Sequence, residues 1–236
     1  MAEIDVAGRS TREINAAIRQ SIAEVGPEIT LRNPGARHNL AVAILENARI
    51  RIAGSAGYYC GGLNDGASIE IDGSAGWGLA ESMLSGTVRV HRNAGSGAAA
   101  ALRGGTVVVH GDAAARLGVS MKGGLVIVAG SCGYMAGFMA QKGTLIVCGD
   151  AGDAFADSMY ATVCYVGGQV ANLGTDAVLG TMEPGEIERL EETLSGHLPP
   201  DLRKTKPKAC DFKKVVAGRK LWNFDKREWR IWQEAL

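Results

Sequence analysis

From Ala48 the chain reads ARIRIAGSAG (48–57), and the same pattern returns every nineteen residues: ASIEIDGSAG (67–76), GTVRVHRNAG (86–95), GTVVVHGDAA (105–114), GLVIVAGSCG (124–133), GTLIVCGDAG (143–152) and TVCYVGGQVA (162–171). Seven such units run from Ala48 to Gly180 without an insertion. The third residue of each is apolar or Cys (Ile50, Ile69, Val88, Val107, Val126, Leu145, Cys164), and so is the fifth (Ile52, Ile71, Val90, Val109, Val128, Val147, Val166). Two apolar columns separated by one residue mark a short strand with one buried face.

The seventh and tenth columns are corners, occupied by Gly54, Gly57, Gly73, Gly76, Gly95, Gly111, Gly130, Gly133, Gly149, Gly152 and Gly168, with Arg92, Ala114 and Ala171 as departures. Glycine at a fixed phase serves a positive φ or a close backbone approach. Glycine is also the compositional outlier: 33 of 236 residues, about twice average usage and without the every-third period of collagen. Nineteen residues of extended chain trace about 60 Å, too long for a hairpin and suited to one turn around a small prism. A propeller blade needs about 40 residues, so the period predicts an all-β solenoid, a parallel β-helix of seven 19-residue coils stacked about 4.8 Å apart. All six prolines lie outside the repeat, as expected where every amide donates to the next coil.

The flanks divide the chain into 1–47, 48–180 and 181–236. Ser10 and Glu13 have capping-box spacing, and Ile14, Ala17, Ile18 and Ile22 recur at helical spacing, which predicts an amphipathic helix over 10–25. Residues 29–46 read as a degenerate cap over the first coil, with Leu31 in phase with the repeat and Asn33-Pro34 ending the strand. A second short helix is expected from Pro184 to Gly196. From Arg203 onward there are eleven Lys or Arg against four Asp or Glu, although the chain as a whole balances 25 against 25. Three of the four tryptophans, Trp222, Trp229 and Trp232, lie in this basic tail. Trp and Arg are favoured interface anchors, so the tail is expected to contact a partner subunit; no motif supports nucleic acid.

Chemistry in a solenoid would show as a column. The sixth holds Asp72, His91 and His110, ligand types for a metal, yet ladder side chains run parallel and do not converge. Five cysteines without a CxxC pair argue against a disulfide framework or zinc site. The Gly73–Gly78 run does not open a helix and so lacks the phosphate-loop context. No catalytic, cofactor or metal residue is assigned. In the fourth column, Arg51, Glu70 and Arg89 alternate in charge, a candidate cross-strand ladder. The column then turns apolar at Val108, Ile127, Ile146 and Tyr165. Such a stripe needs a cover, either the chain's own terminal helices or another protein, and it stands as a candidate partner interface. No apolar run is long enough to span a membrane and no basic-then-apolar leader is present, so a cytoplasmic protein without membrane contact is expected.

The motifs Gly54-Ser-Ala-Gly-Tyr-Tyr-Cys60, Gly73-Ser-Ala-Gly-Trp-Gly78, Arg116-Leu-Gly-Val-Ser-Met-Lys-Gly-Gly124 and Gly149-Asp-Ala-Gly152 resemble the GXGXG domain, the C-terminal right-handed β-helix of the glutamate synthase large subunit. The resemblance covers about residues 10–225 and is greatest to the stand-alone subunit of the N-methylglutamate synthase type. Similar coils build the β-helical chain of formylmethanofuran dehydrogenase. The resemblance implies a non-catalytic scaffold that holds an amidotransferase-like subunit and an FMN-binding synthase subunit, with FMN and an iron–sulfur cluster on the partner and no cofactor on this chain. The competing expectations are a β-helical chain of a formylmethanofuran dehydrogenase/formyltransferase complex and an independent metal-binding enzyme built on Asp72, His91 and His110.

Overall fold

The computed structural model describes residues 1–218; Trp222, Trp229 and Trp232 lie outside the described residues. Consecutive strands of the repeat, β3 (Arg49–Ile52), β4 (Asp65–Ile71), β5 (Ser85–Val90), β6 (Thr106–Val109), β7 (Lys122–Val128), β8 (Lys142–Val147) and β9 (Ala161–Val166), pair in parallel, each with the next. The register is the sequence period itself: Ile50 faces Ile69, Ile69 faces Val88, and so on to Cys164. Every third- and fifth-column side chain is buried, at no more than 1% exposure. The molecule is a β-solenoid of about seven turns of about 19 residues.

The sheet reaches beyond both expected ends. Before β3 come β1 (Ala2–Asp5) and β2 (Glu28–Arg32), paired in parallel. The nineteen-residue step places Leu31 opposite Ile50, but Ile29 faces Ile50 and Leu31 faces Ile52. The first coil carries extra residues, so the expected phase there is corrected by two. At the far end β11 (Lys213–Ala217) runs antiparallel against β9 and carries β10 (Ala177–Gly180) on its outer edge.

The rest of each coil departs from the extended path expected. After the strand comes a glycine corner and then a single bridging residue, Ala56, Ala75, Ala94, Ala113, Cys132, Ala151 or Val170. The chain then alternates handedness, with left-handed backbone at Tyr59, Gly61 and Leu63 and at the equivalent Arg116, Gly118 and Ser120. Alternation turns successive amides in opposite directions. Tyr59 N donates to Trp77 O of the next coil at 2.7 Å, Gly61 N to Leu40 O of the previous coil at 3.0 Å, and Leu63 N forward again to Glu81 O at 2.9 Å. Left-handed backbone is costly for non-glycine residues, and here it lets a non-β segment satisfy its polar groups in both directions.

The corner glycines answer to the second of their two possible causes. Among those assigned, Gly54 has positive φ (147°), whereas the others lie against the neighbouring coil. A Cβ at Gly76 would stand 2.5 Å from Tyr58 Cδ1 and 2.8 Å from Gly57 C, and one at Gly57 would strike the Ala36 carbonyl oxygen and His38 Nδ1.

Helix α1 (Thr11–Glu24) closes the first coil with Ile14 and Ile18 fully buried, and Ser10 and Glu13 form the expected capping box. Helix α2 (Pro184–His197), helix α3 (Pro200–Lys204) and a 3-10 turn at Ala209–Asp211 form a second layer on the outer face of the sheet. Leu190, Leu194, Leu198, Ala209 and Phe212 pack on Val108, Ile127, Ala129, Ile146 and Cys148. The candidate interface is therefore corrected: Val108, Ile127 and Ile146 are at most 1% exposed beneath the chain's own helix. Tyr165, partly buried against the same cluster, reaches Glu186 Oε1 through its hydroxyl at 3.3 Å.

If α2 is an intrinsic part of the fold, Leu194→Ala should destabilise the isolated chain by about 2–5 kcal/mol in urea unfolding, whereas a stripe kept for another protein would leave the isolated chain's stability unchanged. Gly57→Ala should lower stability by about 2 kcal/mol or more. Gly196→Ala, in α2 with nothing within 4 Å of the added carbon, should raise it by roughly 0.5–1 kcal/mol; thermal unfolding of the pair reads both.

Candidate functional site

The outer face of the sheet changes character along its length. Over the later coils it is apolar and covered by α2; over the earlier coils it is charged and carries a shallow cleft of about 230 Å³ between Glu28, Thr30, Arg49, Arg51, Ser68 and Glu70. The charges pair diagonally and not directly across as expected. Arg51 Nε lies 3.1 Å from Asp72 Oδ2, and Glu70 Oε1 lies 2.6 Å from His91 Nε2. Each of these fourth-column residues thus reaches the sixth column of the next coil. A straight Arg51–Glu70–Arg89 ladder gives way to this diagonal because the sixth-column residue stands beyond the strand end, where a long side chain leaning along the strand meets it.

The same geometry separates the candidate metal ligands. Asp72 is held by Arg51 and His91 by Glu70, while the rings of His91 and His110 meet edge to face at 4.9 Å between centroids. Among the described residues no three His, Cys, Asp or Glu side chains converge on a point that could hold a metal ion. His110 has one counter-charge, Glu70, the smallest of the influences on it. Burial, followed by the charges of His91 and Arg89, lowers its pKa to about 4. Burial and then Arg89 also lower that of His197, in the last turn of α2. The sequence pattern marked Arg89 only as a rung of the charged ladder and did not mark His197, which comes from outside the repeat.

The remaining candidates are structural. In the Gly73–Gly78 run the amides are consumed by neighbouring coils, Gly73 N on Gly54 O (2.9 Å), Gly76 N on Ala56 O (3.1 Å) and Gly78 N on Ser96 O (3.0 Å), so these three are not available to cradle a phosphate. Cys60, Cys132, Cys148 and Cys164 are buried. Burial pushes the first three thiols up to about 12, 12 and 11, and raises Cys164 as well, which suppresses the nucleophilic thiolate. Cys210 is the exposed one among the described residues. An unanticipated surface feature is a stack of His38, Tyr58 and Trp77 along the outside of the first coils, with centroids 4.4 and 5.2 Å apart. Tyr58 N also donates to His38 Nδ1 at 2.9 Å.

The described part of the basic tail folds on its own body. Lys214 Nζ bonds Glu186 at 2.6 Å in a pair only 16% exposed on either side, and Arg203 grips Glu191 through both Nε and Nη2. No helix among the described residues is long and apolar enough to cross a membrane.

No family model matches the chain. It is similar to Protein GlxC of Rhizobium meliloti (strain 1021), with 45% identity over 228 residues that span 95% of this chain and 97% of that protein. The likeness thus extends over nearly the whole of both chains, well past the glycine-rich units that define the period, and on that ground the chain belongs to the family of Protein GlxC.

Proposed function

We propose that this chain is a non-catalytic subunit of a glutamate synthase-related complex of the N-methylglutamate synthase type. In this reading it holds an amidotransferase-like subunit and an FMN-binding synthase subunit in a fixed relation while they form N-methylglutamate from glutamate and methylamine. FMN and an iron–sulfur cluster belong to the synthase subunit. The observation that carries the reading is the employment of the polar side chains: a column of them bonds coil to coil, and among the described residues no three His, Cys, Asp or Glu side chains gather to hold a metal ion. The GXGXG-like motifs and membership in the GlxC family support the same assignment.

Mild affinity purification from the native cells tests it. The expected eluate is yellow and contains a flavin-binding synthase subunit and an amidotransferase-like subunit, identified by mass spectrometry and a visible spectrum. A colourless, partner-free chain that carries metal would overturn it. Asp72→Ala should leave turnover of the assembled complex within about twofold, since removing an exposed ion pair costs little; loss of turnover with assembly intact would assign this chain a direct part in the chemistry.

A further inference from the structure

We propose that Arg89, His110 and His197 form a receptor for an oxyanion, a carboxylate or phosphate group, at the step where α2 ends on the outer face of the sheet. The first ground is the diagonal rule. Arg51 reaches the carboxylate of Asp72, and Glu70 reaches His91, but Arg89 finds His110 at the corresponding place, a base where the first rung has an acid. The second is direct: Arg89 Nε and His110 Nε2 are both buried and have no hydrogen-bond partner. Among the described residues no salt bridge is formed by Arg89, and the neighbouring carboxylate, Glu70, is held by His91 at 2.6 Å.

The groups that face this point come from three directions. Glu70 stands on β4, Arg89 and His91 belong to β5 and the corner that follows it, His110 follows β6, and His197 lies in the last turn of α2. Glu70 is thus the one carboxylate among the charged groups that act on His110, beside Arg89 and His91, and Arg89 acts on His197 as well. Arg89 and His110 are half-buried as residues, so the locus borders solvent while part of each polar head is dry. A guanidinium with free N–H groups matches a planar carboxylate or a phosphate face, and it binds more strongly where water is partly excluded. A bound anion would also add to the weak counter-charge that Glu70 gives His110, so anion binding and protonation of the ring must favour one another.

The test is a pH titration of the histidine ring protons by NMR on the full-length chain, with His110→Gln and His197→Gln used to assign the signals. It compares sodium chloride, sodium phosphate and sodium trifluoroacetate, whose carboxylate stays ionised throughout the His110 transition, at matched ionic strength. An oxyanion receptor raises the His110 midpoint by about half a pH unit or more over its value in chloride, and Arg89→Gln abolishes the difference. A rise with phosphate alone identifies a phosphate-class ligand; a rise with trifluoroacetate alone identifies a carboxylate, such as an Asp or Glu presented by a partner protein; a rise with both supports the site for either source. The same midpoint in all three salts, or an anion-dependent rise that persists in a folded Arg89→Gln, overturns the proposal. Circular dichroism establishes the fold of that variant, and the three-salt comparison on the unaltered chain decides the matter even if the variant does not fold. Because the experiment uses no partner subunit, its outcome is independent of the proposed complex.

Discussion

The whole body rests on one close approach, repeated along the coils, between a side-chain oxygen and the backbone of the next turn. In the eighth column, Ser55 Oγ accepts from Ser74 N, Asn93 Oδ1 from Asp112 N, Asp112 Oδ1 from Ser131 N, Ser131 Oγ from Asp150 N and Asp150 Oδ1 from Gln169 N, at 2.7 to 3.1 Å and always nineteen residues apart. The oxygen passes just where the seventh-column residue of the next coil would place a Cβ: Asn93 Oδ1 against Gly111, Asp112 Oδ1 against Gly130, Ser131 Oγ against Gly149. Glycine in one column and a short polar residue in the next are therefore one device. Its exception shows the coupling. Arg92 stands in place of glycine, and the neighbouring rung, Asn93 N to Ser74 Oγ, is the longest at 3.4 Å. A net hydrogen bond contributes only about 1 kcal/mol, and all of these rungs but the first are exposed, so the device acts through its repetition from coil to coil and not through the strength of any one rung.

A stack of this kind has no internal reason to stop, and both ends are ended by chemistry foreign to the repeat. At the first coil, Asn15 of α1 donates to Asn39 O at 2.7 Å and accepts from Val42 N at 3.2 Å, while Arg19 donates to the carbonyls of Val42 and Ala43. These would otherwise be the orphan backbone groups of the alternating segment. A buried asparagine costs little when every partner is supplied, and Asn15 is only 9% exposed. At the last coil an antiparallel strand, β11, breaks the parallel stacking, and Phe212 and Pro207 close over Gly167. Edges that would invite further strands are thus occupied or displaced.

The repeat made the middle of the molecule legible because burial, register and turn chemistry repeat together, and each apolar column could be read seven times over. Where the period changes, legibility fails. The extra residues in the first coil put Leu31 out of phase, and β1, a short segment far from any repeat, carries no signal until it is seen beside β2. The alternating backbone at Tyr59, Gly61 and Leu63 was hidden for another reason: the residues there share a left-handed φ without any alternation of polarity to announce it. The need for a cover over Val108, Ile127 and Ile146 could be seen in the sequence, but its identity could not, since Leu190 and Leu194 lie on a helix whose own pattern fits any apolar surface.

The same regularity bears on where chemistry can arise. Side chains of one column are held about 4.8 Å apart and point the same way, so a ladder can neutralise itself, as Arg51 with Asp72 and Glu70 with His91 do, but it does not gather three groups around one ligand. Convergence requires an element that does not obey the period. On this chain α2 is that element, and its last turn brings His197 within the electrostatic influence of Arg89, at the rung where the diagonal pairing turns basic. A functional point on a solenoid is therefore to be sought at the boundary between the repeat and what covers it, and the unpartnered nitrogens of Arg89 and His110 at that boundary are what separate it from the self-satisfied ladder beside it.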